Sequence, residues 1–310
     1  MATGPALVTP APQPTQQYYA SIHPGPQSPL PQPLVDAVRG IEQTLNMPVW
    51  MFLHNGEGTY GEIDDKLRSA FFDARVHMPV NGAIALLVES PGGYAKSAYQ
   101  IANIFRRHCG AFTALVPRYA KSAATLLVLG AGTIILNKYA ELGPLDAQLY
   151  DPEREEWASA LNEVQSLERL HAFGMEAIDQ TMFLLLGRTR KKTETILPHV
   201  LKFVAEIMRP MLEKVDVVHY TQRARVLKVA EEYAIRLLKP KYGQRDAEKM
   251  ARRLVEKYPE HDFTIDAEEL TEIGILNTQP TDQQVGFMDA LIPYLDRMTI
   301  MGKLEVVTTP

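Results

Sequence analysis

The sequence predicts an α/β protein: a mainly parallel sheet built from βαβ units, with a C-terminal helical region. Three observations carry the α/β part. Four short apolar runs lie between residues 48 and 136. Amphipathic helical stretches separate them. Turn signals sit at the run ends. Runs that are apolar throughout, rather than alternating, mark strands buried on both faces, as parallel strands are.

The first run is Pro48-Val-Trp-Met-Phe-Leu53. Ile63, Leu67, Ala70, Phe71 and Ala74 follow at helical spacing. Ala83-Ile-Ala-Leu-Leu-Val88 is the second run, preceded by the turn pair Asn81-Gly82. Ala98, Ile101, Ala102 and Phe105 mark the next helix. Phe112-Thr-Ala-Leu-Val116 is the third strand, Ala123 to Leu129 a third helix, and Thr133-Ile-Ile-Leu136 the fourth strand. Each crossover should be right-handed.

Outside this core, at 34–150, the character changes. Residues 1–33 hold nine of the chain's 22 prolines and no Lys, Arg, Asp or Glu. They read as a disordered, partly polyproline-II tail. Residues 151–275 read as a charged helical region packing on the core. Within it Val226, Ala230, Tyr233 and Leu237 share one face, and Ala247, Met250, Ala251, Leu254 and Tyr258 another. Residues 276–310 read as a C-terminal tail holding one possible helix from Phe287 to Met298.

Composition narrows the function. The 310 residues are 46% hydrophobic and 22% charged, ordinary for a globular protein. A net charge of −5 gives no reason to expect nucleic acid as partner. The single cysteine, Cys109, excludes an intrachain disulfide and reads as a packing residue. The histidines lack metal-ligand spacing, so neither a metal nor any other cofactor is expected. Arg188-Thr-Arg-Lys-Lys192 reads as a solvated face. The uncharged stretch Ser122 to Asn137 is shorter than the ~20 residues a spanning helix needs and contains Gly130 and Gly132. A cytoplasmic protein without stable membrane insertion is the expectation.

Ligands of parallel sheets bind beyond the strands' carboxyl ends. Two strand-to-helix turns there have unusual chemistry. Glu89-Ser-Pro-Gly-Gly-Tyr94 offers backbone amides, because adjacent glycines let the chain expose its N–H groups. Arg118-Tyr-Ala-Lys-Ser-Ala-Ala124 offers Ser122 at a helix start, among small neighbours. A hydroxyl nucleophile and amide donors are the parts of an acyl-transfer site. Ser122 could equally serve only as a helix cap, and the double glycine only as a tight turn. Residues 90–97 also approximate a phosphate loop. Ser90 and Ala95 replace both of its glycines, and Pro91 removes a donor, which argues against an ATPase.

Three motifs in order, Ser-Pro-Gly-Gly at 90–93, Tyr-Ala-Lys-Ser-Ala-Ala-Thr-Leu at 119–126 and Glu-Leu-Gly-Pro-Leu-Asp-Ala-Gln at 141–148, resemble the serine dehydrogenase proteinase family. That family belongs to the Clp-protease and crotonase superfamily, which implies a core of ββα units, and is related to signal peptide peptidase A. Tyr-Pro-Glu-His-Asp-Phe at 258–263 also fits it. The resemblance spans roughly residues 45–275.

It implies an ATP-independent serine-type peptidase acting on a peptide or protein substrate. Ser122 would be the nucleophile, and the amides of Gly93 and Ala123 the oxyanion hole. It also implies a homo-oligomer, since relatives form rings. The general base is where this chain departs from its relatives. Clp-type enzymes place a histidine after the serine where this chain has Pro144-Leu-Asp-Ala147, and signal-peptide-peptidase relatives use a downstream lysine. No histidine occurs between His108 and His171, and no lysine between Lys138 and Lys191. The candidates are Asp146, Lys138, Lys121, His171, His54 and His261. Asp146 alone is a poor match to a hydroxyl and could instead bind backbone amides of its turn. Two further readings stay open: an oligomeric scaffold that has lost its base, and an acyl-CoA enzyme of the crotonase kind.

Overall fold

A computed structural model describes residues 15–23, 27–146, 148–151 and 155–309. In chain order its elements are β1 (Thr15–Ile22), α1 (Gln32–Leu45), β2 (Val49–Leu53), α2 (Asp65–Ala74), β3 (Ala85–Glu89), α3 (Ala95–Cys109), β4 (Thr113–Val116), β5 (Tyr119–Ala120), α4 (Ala123–Leu129), β6 (Thr133–Leu136) and β7 (Glu141–Leu142). There follow β8 (Gln148–Asp151), β9 (Glu156–Ser159), α5 (Ala160–Thr189), α6 (Thr193–Leu212), α7 (Val217–Tyr242) and α8 (Gln244–Glu256). The chain ends with α9 (Ala267–Ile273), α10 (Asp282–Leu295) and β10 (Ile300–Thr309). Two compact units result: residues 1–143 with 264–310, and residues 144–263.

The first unit is built on a six-stranded sheet of order β1-β10-β2-β3-β4-β6. The four strands foreseen as apolar runs, β2, β3, β4 and β6, pair in parallel, and β10 adds antiparallel to β2. All five residues of β2 and of β3 are buried, as a sheet covered on both faces requires. One face packs Met51, Leu87, Leu115 and Ile135 against α1 and α10 through residues such as Val38, Ile41, Met288 and Leu291. On the other, Trp50 and Phe52 meet Phe71 of α2, and Trp50 also meets Phe105 of α3, at ring distances of 5.4–6.4 Å.

Two segments differ from expectation. Residues 15–22, read as part of a disordered arm, form β1, which pairs with β10 from Thr15↔Thr309 to Ile22↔Met301. Its alternation buries Tyr18, Ala20 and Ile22. The remainder of the proline-rich reading at 1–14 and 24–26 lies outside the described residues. Residues 276–310, read as a tail, contribute both α10 and β10. The foreseen helix exists but starts earlier, at a capping box in which Thr281 and Gln284 exchange hydrogen bonds.

The second unit opens with the β8–β9 hairpin and continues as helices. Ile196, Val200 and Val204 of α6 pack against Ile178 and Leu185 of α5. The same two helices leave Phe173, Phe183, Leu201 and Phe203 exposed.

Candidate active site

The two unusual turns lie side by side at the carboxyl end of the sheet. Ser90 pairs with Ala120: its N–H donates to the Tyr119 carbonyl, and its carbonyl accepts from Lys121 N–H, at 3.1 and 2.9 Å. A Cβ added to Gly92 would stand 3.0 Å from Ser122 Cβ and 3.4 Å from Ala123 N, so only glycine lets the turns approach this closely. The double-glycine turn and the serine therefore share one rim.

Each turn is held by its own means. Ile63 clamps the glycine turn, donating to the Gly92 carbonyl (2.9 Å) and accepting from Tyr94 N–H (2.8 Å). This parallel bridge turns the intervening Gly93 N–H away from Ile63. Gly93 has φ 144°, and a Cβ there would meet Ile63 N at 2.4 Å. Beneath the turns Glu89, fully buried, accepts from Arg118 Nε (2.8 Å) and Tyr119 N–H (3.0 Å). Arg118 also reaches Asp296, at the end of α10, through both terminal nitrogens. Burial pushes the Glu89 carboxyl up, opposed by its bonds to Tyr119 and Arg118.

Ser122 has φ 49° and ψ −118°, a backbone state that costs a non-glycine residue about 1–3 kcal/mol and must be over-determined by its surroundings. Its hydroxyl makes no capping hydrogen bond to α4, so the simple N-cap reading fails. Ala123 N–H, at the first helical position, has no intrahelical acceptor. Thr125, one turn on, holds the segment beside the serine. Its hydroxyl lies 2.7 Å from the Ala120 carbonyl and 2.9 Å from that of Gly143, and accepts Gly143 N–H at 3.0 Å. Gly143 in turn faces Ser122: an added Cβ would stand 3.4 Å from Ser122 N.

The base candidates sort by their surroundings. Lys121 is ion-paired to Glu141 at 2.8 Å. Burial works to raise the Glu141 carboxyl, but hydrogen bonds from Lys121 and Thr264 outweigh it and hold the group below its ordinary range. Lys138 is exposed beside the Tyr139 ring. His171 is exposed on α5. His54 is fully buried, 2.9 Å from the Gly61 carbonyl, and burial lowers its pKa to about 4. The phosphate-loop resemblance fails as well: Lys96 pairs with Asp65, and the Ser97 hydroxyl donates to the same carboxylate. Cys109 is buried and pushed up to about 11, consistent with packing.

In the second unit Asp146 bonds two side chains, where the sequence suggested backbone amides of its turn. Its Oδ2 accepts from the Ser159 hydroxyl at 2.8 Å, and its Oδ1 lies 2.5 Å from His261 Nδ1. A carboxylate only accepts, so the imidazole donates from Nδ1 and its neutral form carries the lone pair on Nε2. Leu145 N–H donates to the Leu254 carbonyl of α8 (2.9 Å), and His261 follows that helix. Tyr258 and Phe263, the two ends of Tyr-Pro-Glu-His-Asp-Phe, stack with centroids 4.8 Å apart and close the loop that presents His261. Sequence reading named His261 without its partner; the aromatic bracket around it was the available signal.

Comparison with known proteins agrees with the fold. The family model of the ClpP-like SDH-type serine proteinases matches residues 45–208, more than half of the chain. The chain belongs to this family. Ser122, the double glycine and Asp146 lie inside the matched span, and His261 lies beyond it. Two uncharacterized proteins of Methanocaldococcus jannaschii are similar to it, 29% and 27% identical over 197 residues, or 64% of this chain. The chain spans about half the length of these relatives, 54% and 52% respectively. Among the described residues no helix is long and apolar enough to cross a membrane.

Proposed function

We propose that the protein is a serine peptidase in which Ser122 attacks, Gly93 and Ala123 hold the oxyanion, and the His261–Asp146 pair moves the proton. The observation that carries this reading is the strained, uncapped Ser122 against the Gly92–Gly93 backbone. Strain at a hydroxyl in a turn lined with amide donors is what a nucleophile needs and what a cap does not.

Chemistry supports this base. With Nδ1 donating to Asp146, the neutral form of His261 has its lone pair on Nε2, the form that accepts a serine proton, and Asp146 would stabilise the imidazolium.

In the proposed reaction the Ser122 proton passes to His261 as Oγ bonds to the scissile carbonyl carbon. The imidazolium then protonates the departing amine, leaving an acyl-enzyme that water hydrolyses through the same base. The scaffold reading rested on a missing base, which the proposed His261–Asp146 pair would supply. The exposed aromatic and aliphatic residues of α5 and α6 support self-association, which light scattering would measure.

A fluorophosphonate probe tests the nucleophile. Wild type should be labelled and Ser122→Ala should not. Equal labelling of both would overturn the proposal.

A further inference from the structure

Away from the serine, α2 and α3 flank a groove of about 500 Å³, a volume ordinary for a ligand site. Arg68, Arg75, Arg107 and His108 line it, with no Asp or Glu among the lining residues, although the chain as a whole is negative. Phe72, 43% exposed, adds an apolar wall, and the Arg75 guanidinium sits over its ring at 3.5 Å.

Three polar atoms of this lining are buried without a hydrogen-bond partner: Arg68 Nε, His108 Nε2 and Gln100 Oε1. Buried polar groups are nearly always paired. Three in one groove call for a partner that supplies both kinds of complement. Arg68 needs an acceptor, and Gln100 Oε1 needs a donor. A simple oxyanion only accepts and would leave Gln100 unsatisfied. An acidic peptide has both, with carboxylates for the cations and main-chain N–H for Gln100, and its apolar side chains suit Phe72.

We propose that the α2–α3 groove docks an acidic peptide segment. The proposal stands without the peptidase reading, because it uses none of the residues of that site.

The test is fluorescence anisotropy with a fluorescein-labelled peptide of alternating Glu and Leu. Wild type should bind it saturably. The pair Arg75→Gln and Arg107→Gln should weaken binding tenfold or more, while Arg245→Gln with Arg252→Gln, exposed on α8, removes the same charge without effect. Gln100→Leu should weaken the peptide and leave competition by inorganic phosphate unchanged. Failure to saturate, or equal loss in the α8 control, would overturn the proposal. So would phosphate displacing the peptide at matching concentration, or an oligouridylate binding more tightly than the peptide.

Discussion

Two pairs of residues in this protein are held by opposite means. Gly93 and Ala123 offer main-chain donors, fixed by strand-to-helix turns that lie within thirty-odd residues of one another. Asp146 and His261 offer side chains joined across 115 residues of sequence. The first pair depends on what is missing from the glycine turn, a Cβ at Gly93 and at its neighbour Gly92. The second depends on what its residues carry. Backbone devices tolerate almost no substitution, because any side chain obstructs them. A side-chain pair is vulnerable only at its own atoms.

The largest effect expected is at the nucleophile. Ser122→Ala should lower peptidase turnover by about four orders of magnitude or more, measured as kcat on a fluorogenic peptide. A smaller loss would place the attacking group elsewhere. Next comes the side-chain pair: His261→Ala should cost roughly 10²–10⁴ in kcat. Combined with Ser122→Ala it should add nothing further, since the two act as one unit. An undiminished His261→Ala enzyme would separate the pair from the reaction.

The glycine turn sharpens the contrast. Gly93→Ala should cost about 10²–10³ in kcat, as for a lost oxyanion donor. It should also lower the melting temperature, because the new methyl would stand 2.4 Å from Ile63 N. Loss of activity without loss of stability would show that the turn is looser than the backbone contacts require.

The smallest effect concerns His54. Unfolded, this ring binds a proton below about pH 6.5; folded, only near pH 4. Across that window the unfolded state holds more protons, so stability is greatest above pH 6.5 and falls as the pH is lowered. The contribution is on the order of 3 kcal/mol. Urea unfolding at pH 7 and pH 5 should reveal it, and His54→Gln should flatten the difference.

Legibility in the sequence followed locality. The four parallel strands were visible because doubly buried strands are apolar at every position, as in Val49–Leu53. The two turns that hold Gly93, Ser122 and Ala123 were visible because a turn writes its chemistry into a few adjacent residues. Strand β1 was hidden by the prolines on either side of it: its alternation of Tyr18, Ala20 and Ile22 is short, and its partner β10 lies at the far end of the chain. The link from Asp146 to His261 has no spacing rule at all. It exists because Leu145 bonds the last turns of α8, a contact made by folding and not by sequence proximity.

Arg118 answers to two carboxylates, one sealed under the sheet rim and one in solvent at the last turn of α10. The sealed one sits directly before Ser-Pro-Gly-Gly. Fraying of that final helix, or a cation competing for Asp296, would therefore be felt where the glycines bend. The far end of the chain is a handle on the turn, worked through a single guanidinium.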